Sequence, residues 1–350
     1  MNKLRIGFLS TANIGRKNWK AIFHSGNAVV TAVASRNVDK SRKFIRECQA
    51  EAAFETPPVA LGSYEELLAS KNVDAVYIPL PTGLRREWVV RAAEAGKHIL
   101  CEKPCAIGAA ELEAMISACR KNRVQFMDGV MFMHNRRLDQ IRAVLDDGAS
   151  VGPLKRIASH FSFPGSEEFF RADIRVDGAL EPRGCLGDLG WYCIRFALWT
   201  MNWRMPRRVH GQIISQAGND PVGVPAEFSG ELFFDGGVSS GFYCSFLTAY
   251  RQWADISGAN GYLRVPDFVA PAPGGETAFE ANHRGVKSDD STAGPAGAQD
   301  ANMIRNFAGR IFSGKLNDEW PVWALKTQQV MDACFESARR DSPVKLESKL

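Results

Sequence analysis

The chain has 350 residues, 45% of them hydrophobic and 23% charged, with 43 basic against 39 acidic side chains and a formal net charge of +4. That is more material than one compact domain usually holds, so two domains are expected. The basic residues fall in short clusters such as Arg85-Arg86, Arg136-Arg137 and Arg207-Arg208, which give no nucleic-acid stripe but suit an anionic small molecule or cofactor.

Eight cysteines (Cys48, Cys101, Cys105, Cys119, Cys185, Cys193, Cys244 and Cys334) fall singly within apolar or helical patterns. None shows zinc-finger spacing, so buried thiols in a reducing compartment are expected, and no metal site. The chain runs straight into a strand without a leader pattern, and no run of about 18 apolar residues occurs; a cytoplasmic protein without a membrane span is expected.

The first third alternates strand and helix. Apolar runs at Leu4 to Leu9, Ala28 to Ala34, Val73 to Ile78 and His98 to Cys101 predict buried strands. Helical patterns separate them at Ile14 to His24, Val38 to Ala50, Ser63 to Ala69 and Arg85 to Ala95, with a capping box at Ser63 and Glu66. This alternation predicts βαβ units and a parallel sheet. From about Asp128 the strands become longer and half-polar, at Leu154 to Phe163, Val209 to Ser215, Ala226 to Phe234 and Gly237 to Tyr243, with a hairpin turn at Asp235-Gly236-Gly237. Ala270 to Ala298, rich in Gly, Pro, Ala and Ser, reads as a long surface excursion. Helices return at Asp300 to Phe312 and Trp323 to Arg340. The expected architecture is an α/β Rossmann domain over residues 1–127, then an α+β domain over 128–350 with a large, mostly antiparallel open sheet. The last helix is expected to pack back on the first domain.

The first βα turn, Ser10-Thr11-Ala12-Asn13-Ile14-Gly15, follows the first strand and opens the first helix, where a dinucleotide pyrophosphate would sit. Ser10, Ala12 and Gly15 stand at the three glycine positions of the fingerprint; an ordinary tight strand-to-helix turn has the same look on this segment alone. At the end of the second strand, Ser35-Arg36 replaces the acidic residue of an NAD site. A hydroxyl and a guanidinium suit a 2′-phosphate, so NADP(H) is favoured over NAD(H). Pro79, Leu80 and Pro81 end the third strand and should border the cofactor. Glu102-Lys103-Pro104 ends the next one, placing a charged pair where ionised groups need partners or a cleft. Pro104 biases Lys103 towards an extended conformation.

Glu102-Lys103-Pro104, preceded by Ala95 to Cys101, resembles the signature of the glucose–fructose oxidoreductase/inositol dehydrogenase/MocA (GFO/IDH/MocA) family. Gly184 to Tyr192 resembles that family's Gly-rich segment, and Gln252-Trp253 with Gly258 to Gly261 its later sheet motif. The texture is nearest the dihydrodiol- and xylose-dehydrogenase-like members. The resemblance implies hydride transfer between NADP(H) and a hydroxyl or carbonyl of a sugar, polyol or diol, with Lys103, Asp188 and Tyr192 as the catalytic set. Asp188 and Tyr192, four apart at a helix start, can share a face. A cation such as Lys103 brings a tyrosine's proton chemistry closer to neutrality.

Glu102 joins Lys103 among the expected cofactor contacts. His134, Arg136, Asp173, Arg175 and Trp191 are the expected substrate contacts. The sequence departs from many members at Arg85, where His is frequent, and at Met133-His134-Asn135-Arg136. The open sheet face predicts a homodimer or higher homo-oligomer. A non-catalytic dinucleotide sensor is the alternative; joint retention of Lys103, Asp188 and Tyr192 speaks against it, since a sensor needs no proton relay.

Overall fold

The structure, a computed structural model, describes residues 2–218, 223–271, 278–287 and 298–346. The chain divides into two compact units: Met1–Ala106 with Ala110–Asn135 and Ala293–Ala324, and Ile107–Ala109 with Arg136–Thr292 and Leu325–Leu350.

In the first unit six strands form a parallel sheet: β1 (Leu4–Leu9), β2 (Ala28–Ala34), β3 (Val59–Leu61), β4 (Ala75–Ile78), β5 (His98–Cys101) and β6 (Phe126–Asp128). Their order is β3-β2-β1-β4-β5-β6, which puts the topological switch point between β1 and β4. The connecting helices are α1 (Ile14–Ser25), α2 (Val38–Glu51), α3 (Tyr64–Ala69), α4 (Thr82–Glu94) and α5 (Ala109–Lys121). Every residue of β4 is buried, as an apolar strand covered on both faces requires.

The core of this unit is aromatic. Phe8 meets Tyr77 at 5.0 Å and Trp19 at 6.3 Å, and Trp19 meets Phe44 at 6.3 Å. The fully buried Trp19 donates its indole N–H to the Ala52 carbonyl at 2.8 Å, so its apolar area, worth about 2–3 kcal/mol on the side-chain scale, is buried without an orphaned donor. Helix α9 (Gln299–Phe312) joins this unit. Its Asp300 pairs with Lys17 of α1 at 2.9 Å, and its Arg305 carbonyl accepts from Asn27 at 3.0 Å.

The second unit is built on nine strands: β7 (Leu154–Ser162), β8 (Arg208–Ala217), β9 (Val224–Phe233), β10 (Ser239–Ser245), β11 (Arg251–Gly258), β12 (Tyr262–Val265), β13 (Ala278–Ala281), β14 (Arg284–Lys287) and β15 (Val344–Lys345). Their order is β14-β13-β12-β11-β7-β10-β9-β8-β15. Only β10 and β7 run parallel among the named ladders. The hairpin between β9 and β10 turns at Asp235–Gly237, where Gly236 and Gly237 have φ of 73° and 76°.

Among the described residues the further α-helices are α6 (Arg137–Asp146), α7 (Glu167–Ala172), α8 (Trp191–Thr200) and α10 (Glu319–Arg340). Helix α10 lies directly on β8. A Cβ on Gly211 would stand 2.1 Å from the Cys334 carbonyl oxygen, and the Gly211 amide donates to Ser337 at 3.0 Å. Two sequence expectations are corrected. Helix α4 begins at Thr82, immediately after Pro81, rather than at Arg85. The stretch from Ala270 to Ala298 is not all loop, because β13 and β14 extend the sheet from within it; its residues 272–277 and 288–297 lie outside the described residues.

Candidate active site

The turn after β1 carries the residues expected at the pyrophosphate. Ser10 adopts φ 132°, a conformation that favours glycine, and its hydroxyl accepts from the Ala12 amide at 3.1 Å. Asn13, at the N-cap of α1, makes no side-chain cap, and the Gly15 and Arg16 amides donate to the Ala12 and Asn13 carbonyls at 2.9 and 3.0 Å. Gly15 is closely packed: a Cβ there would meet the Phe44 ring at 3.1 Å. Thr11 is half-buried and Ile14 exposed. At the end of β2, Ser35 is buried and its hydroxyl accepts from the Asn37 amide at 3.3 Å. Arg36 is exposed and makes no ion pair among the described residues. These residues fit a phosphorylated dinucleotide, with its pyrophosphate at α1 and an anionic group at Arg36.

On the far side of the switch point, Arg85 reaches back under the loop of Pro79, Leu80 and Pro81. Only 5% exposed, it donates to the Leu80 carbonyl at 2.7 Å, to the Thr82 hydroxyl at 3.0 Å and to the Pro104 carbonyl. It ties the ends of β4 and β5 together. Glu102 faces inward: it accepts from the Tyr77 hydroxyl at 2.6 Å and from Asn18 at 3.4 Å, and Asn18 also donates to the Tyr77 oxygen at 2.7 Å. Burial, with the adjacent Glu102, pushes the Tyr77 phenol well above its ordinary range. Lys103, half-buried, follows at the strand end before a cis bond to Pro104.

The expected substrate residues of this region divide. His134, in a 3₁₀ turn over Met131–His134, meets the Asn306 amide of α9 at 3.0 Å and the Trp320 ring at 6.1 Å. Arg136 is exposed and belongs to the second unit.

In the second unit Asp188 does not open an ordinary helix. Leu186–Gly190 form a π-helical turn that runs into α8 at Trp191. Such turns widen the repeat, so Asp188 and Tyr192 lie slightly less than one turn apart rather than slightly more. The structure brings Asp188 together with two expected substrate residues. Arg175 Nε lies 3.7 Å from Asp188 and 3.5 Å from Asp173, which also caps the 3₁₀ turn Ile174–Val176 through the Arg175 amide at 3.0 Å. The Arg175 guanidinium stands 5.5 Å from the Phe169 ring centre and 5.9 Å from that of Phe163. Tyr192 is 6% exposed, edge-on to Phe161 at 5.6 Å. Trp191 is fully buried, and its indole N–H has no hydrogen-bond partner among the described residues.

Arg85, Tyr77, Asn18, Phe163 and Phe169 were not singled out as site residues from the sequence. Tyr77 and Asn18 lie inside an apolar strand and an ordinary helix pattern, so only the buried carboxylate of Glu102, which must find partners, hints at them. Among the described residues no group of three or more His, Cys, Asp or Glu could hold a metal ion, and no helix is long and apolar enough to cross a membrane.

Residues 4–130 match the model of the oxidoreductase family with an NAD-binding Rossmann fold, and residues 138–264 match the GFO/IDH/MocA C-terminal domain. The chain is 29% identical to D-xylose 1-dehydrogenase (NADP(+)) 2 of Haloferax volcanii over 98% of this chain and 100% of that one. It is 30% identical to trans-1,2-dihydrobenzene-1,2-diol dehydrogenase of Mus musculus over 69% and 68%. Among solved structures it resembles a 3-ketoreductase of Actinomadura kijaniata in complex with NADP and TDP-benzene, at 26% identity and a TM-score of 0.83 over 96% of this chain and 98% of that one. Two family models in sequence order, over a parallel six-stranded sheet and a mostly antiparallel nine-stranded one, show that the chain belongs to the GFO/IDH/MocA family of NAD(P)-dependent oxidoreductases.

Proposed function

We propose that this protein transfers a hydride between NADP(H) and a hydroxyl or carbonyl of a sugar, polyol or diol, with Tyr192 as acid/base and Lys103 and Asp188 assisting. The observation that carries the reading is the grouping of Asp188 with Arg175 and Asp173 beside an aromatic wall. Two carboxylates and one guanidinium supply acceptors and donors for several hydroxyls, and the rings of Phe163 and Phe169 suit the C–H faces of a sugar. The relatives named for D-xylose and dihydrodiol substrates support the same class.

When bound, the nicotinamide would supply a hydride in reduction and accept one in oxidation. This chain's residues hold and time the proton. Tyr192 would give its phenolic proton to the carbonyl oxygen during reduction and take it back during oxidation. Lys103 would stabilise the phenolate and the negative charge developing on oxygen. Asp188, paired with Arg175, would orient the reacting hydroxyl. Ser10, Thr11, Ala12, Asn13, Ile14 and Gly15 would cradle the pyrophosphate, with Ser35 and Arg36 on the 2′-phosphate. Pro79, Leu80, Pro81 and Lys103 would border the nicotinamide half. Glu102, bonded to Tyr77 and Asn18, would act from beneath as a positioning residue. We assign cofactor binding to residues 1–127, and substrate binding and assembly as a homo-oligomer to 128–350. The eight cysteines, all free and buried, support a cytoplasmic setting.

The test is a turnover screen of aldoses, inositols and vicinal diols with NADP and NAD. NADP-dependent oxidation of one class supports the reading; tight NADPH binding without turnover on any of them favours the sensor.

A further inference from the structure

The π-helical turn bearing Asp188 is entered through Arg183, and that arginine is held through its carbonyl and through one end of its guanidinium. Its carbonyl accepts from the Gly187 amide at 3.2 Å, inside the turn. Its guanidinium lies 3.3 Å from Asp332 of α10, donates to the Ile107 carbonyl at 3.1 Å and covers the Phe335 ring at 4.2 Å. Asp332 uses its other oxygen to accept from the amide of Ala109, the first residue of α5, at 2.7 Å. All these residues belong to the second unit. One carboxylate therefore holds two stretches of chain, Ile107–Ala109 and the entry to the π turn. The first begins four residues after Lys103, and the second ends at Asp188, five residues after Arg183.

The arrangement is costly enough to need a reason. Burial pushes the Asp332 carboxyl above its ordinary range, and Arg183 opposes that shift. An aspartate is not required to cap a helix start, because Ser, Thr or Asn serves there without burying a charge. What the ion pair adds is a link between two segments distant in sequence.

We infer that Arg183 and Asp332 are a positioning pair for the reaction, fixing the chain that leaves Lys103 and the chain that enters the Asp188 turn. The inference rests on the proposed roles of Lys103 and Asp188. Neither residue of the pair needs to touch substrate or cofactor; a displacement of about 1 Å at a reacting group costs on the order of 100-fold in rate.

The test uses the full-length protein carrying Arg183→Met, Arg183→Lys, Asp332→Asn, and Arg183→Met with Asp332→Asn. Kinetics are measured with NADP and whichever of D-xylose, D-glucose, myo-inositol or trans-cyclohexane-1,2-diol is turned over, alongside amide hydrogen exchange. Arg183→Met is expected to lower kcat roughly 10- to 100-fold with KM for NADP within about twofold. Arg183→Lys should recover part of that loss, and the double variant should be no worse than the poorer single one. Exchange should quicken at Ala109 and across 184–190. Should Arg183→Met fail to fold, Arg183→Lys carries the test through a smaller fall in kcat at unchanged KM. A kcat within twofold of the unmutated protein in every variant, or a loss of equal size in kcat and cofactor affinity, overturns the inference alone. An unmutated protein that turns over none of the four overturns the functional reading, and this inference with it.

Discussion

The guanidinium of Arg175 stands 3.7 Å from the carboxylate of Asp188, which lies in the π-helical turn. Asp173 holds the same nitrogen at 3.5 Å, so one cation serves two carboxylates, all three partly exposed. If Arg175 orients Asp188 and donates to the substrate, Arg175→Met removes charge-assisted hydrogen bonds worth about 1.5–3 kcal/mol. We expect kcat/KM to fall roughly 10- to 100-fold, with NADPH affinity unchanged, because the change lies in the unit that does not carry the dinucleotide turn. Steady-state kinetics showing a change within twofold would remove Arg175 from the substrate site.

Arg36 gives a second expectation. It is exposed at the end of β2 without an ion pair among the described residues, and no acidic residue stands there to accept from a ribose. NADPH should bind more tightly than NADH. Arg36→Ala should weaken NADPH by about 10- to 100-fold, on the same charge-assisted scale, and leave NADH nearly unaltered. Fluorescence titrations giving equal affinities for the two cofactors in the unmutated protein would overturn the NADP preference.

How much of this was legible depended on whether the signal was local. Strands β1, β2, β4 and β5 announce themselves as continuous apolar runs, and the β9–β10 hairpin by Asp235-Gly236-Gly237. The three-residue β3 and β6 are too short to leave a pattern. Asp188 and Arg175 were each legible as candidates, yet their pairing was not, since nothing in the spacing of 13 residues says that a 3₁₀ turn folds back on a π turn. Glu102 stood out as a charged residue at a strand end. Its burial against Tyr77 and Asn18, 25 and 84 residues away, comes from the sheet order. Arg85 stood out only as a departure from the family's frequent His; the helix starting at Thr82 places it so that its side chain reaches back to Leu80 and Pro104.

The Arg5–Asp74 pair offers a pH test independent of activity. Arg5 Nε donates to Asp74 at 2.9 Å, Nη2 at 2.5 Å and the Arg5 amide at 3.1 Å, linking β1 to the residue before β4. These bonds hold the Asp74 carboxyl below its ordinary 3.8. A depressed folded-state pKa means the stabilisation is complete above the unfolded value and is lost as pH falls through the folded one. Both side chains are more than one-third exposed, so solvent screening limits the pair to about 0.5–1 kcal/mol. Asp74→Asn should lower the urea midpoint at pH 7 and make no difference near pH 2. A destabilisation that persists at pH 2 would show that Asp74 acts by packing instead.

The open face of the nine-stranded sheet carries His160, Tyr243 and Trp253 in register on neighbouring strands. His160 lies 4.9 Å from the Tyr243 ring and 5.9 Å from that of Trp253, and all three are half-buried, with Phe233 covered by Arg208 two strands away from β7. An aromatic row on a sheet face calls for cover. We expect a homodimer through this face, and Trp253→Glu to shift it towards monomer by burying a charge. Sedimentation finding a stable monomer of the unmutated protein at micromolar concentration would refute the assignment.

The mechanism stands or falls on Tyr192. Its ring is buried edge-on to Phe161, so Tyr192→Phe keeps volume and packing and removes only the hydroxyl. Thermal stability and NADPH affinity should therefore change little, while turnover falls by the ~10²–10⁴-fold that follows loss of a general acid/base. Lys103→Met should cost a similar factor and weaken cofactor binding somewhat, as expected for a cation bordering the nicotinamide. Together the two changes should cost less than the product of the single effects, because both residues serve one proton transfer. Near-normal turnover in Tyr192→Phe would pass the acid/base role to another group, with Asp188, beside Arg175, or His134 next in line. Loss of the folded state in Tyr192→Phe would mean that the hydroxyl's contribution is structural, and that the role implied by family resemblance does not hold at this position.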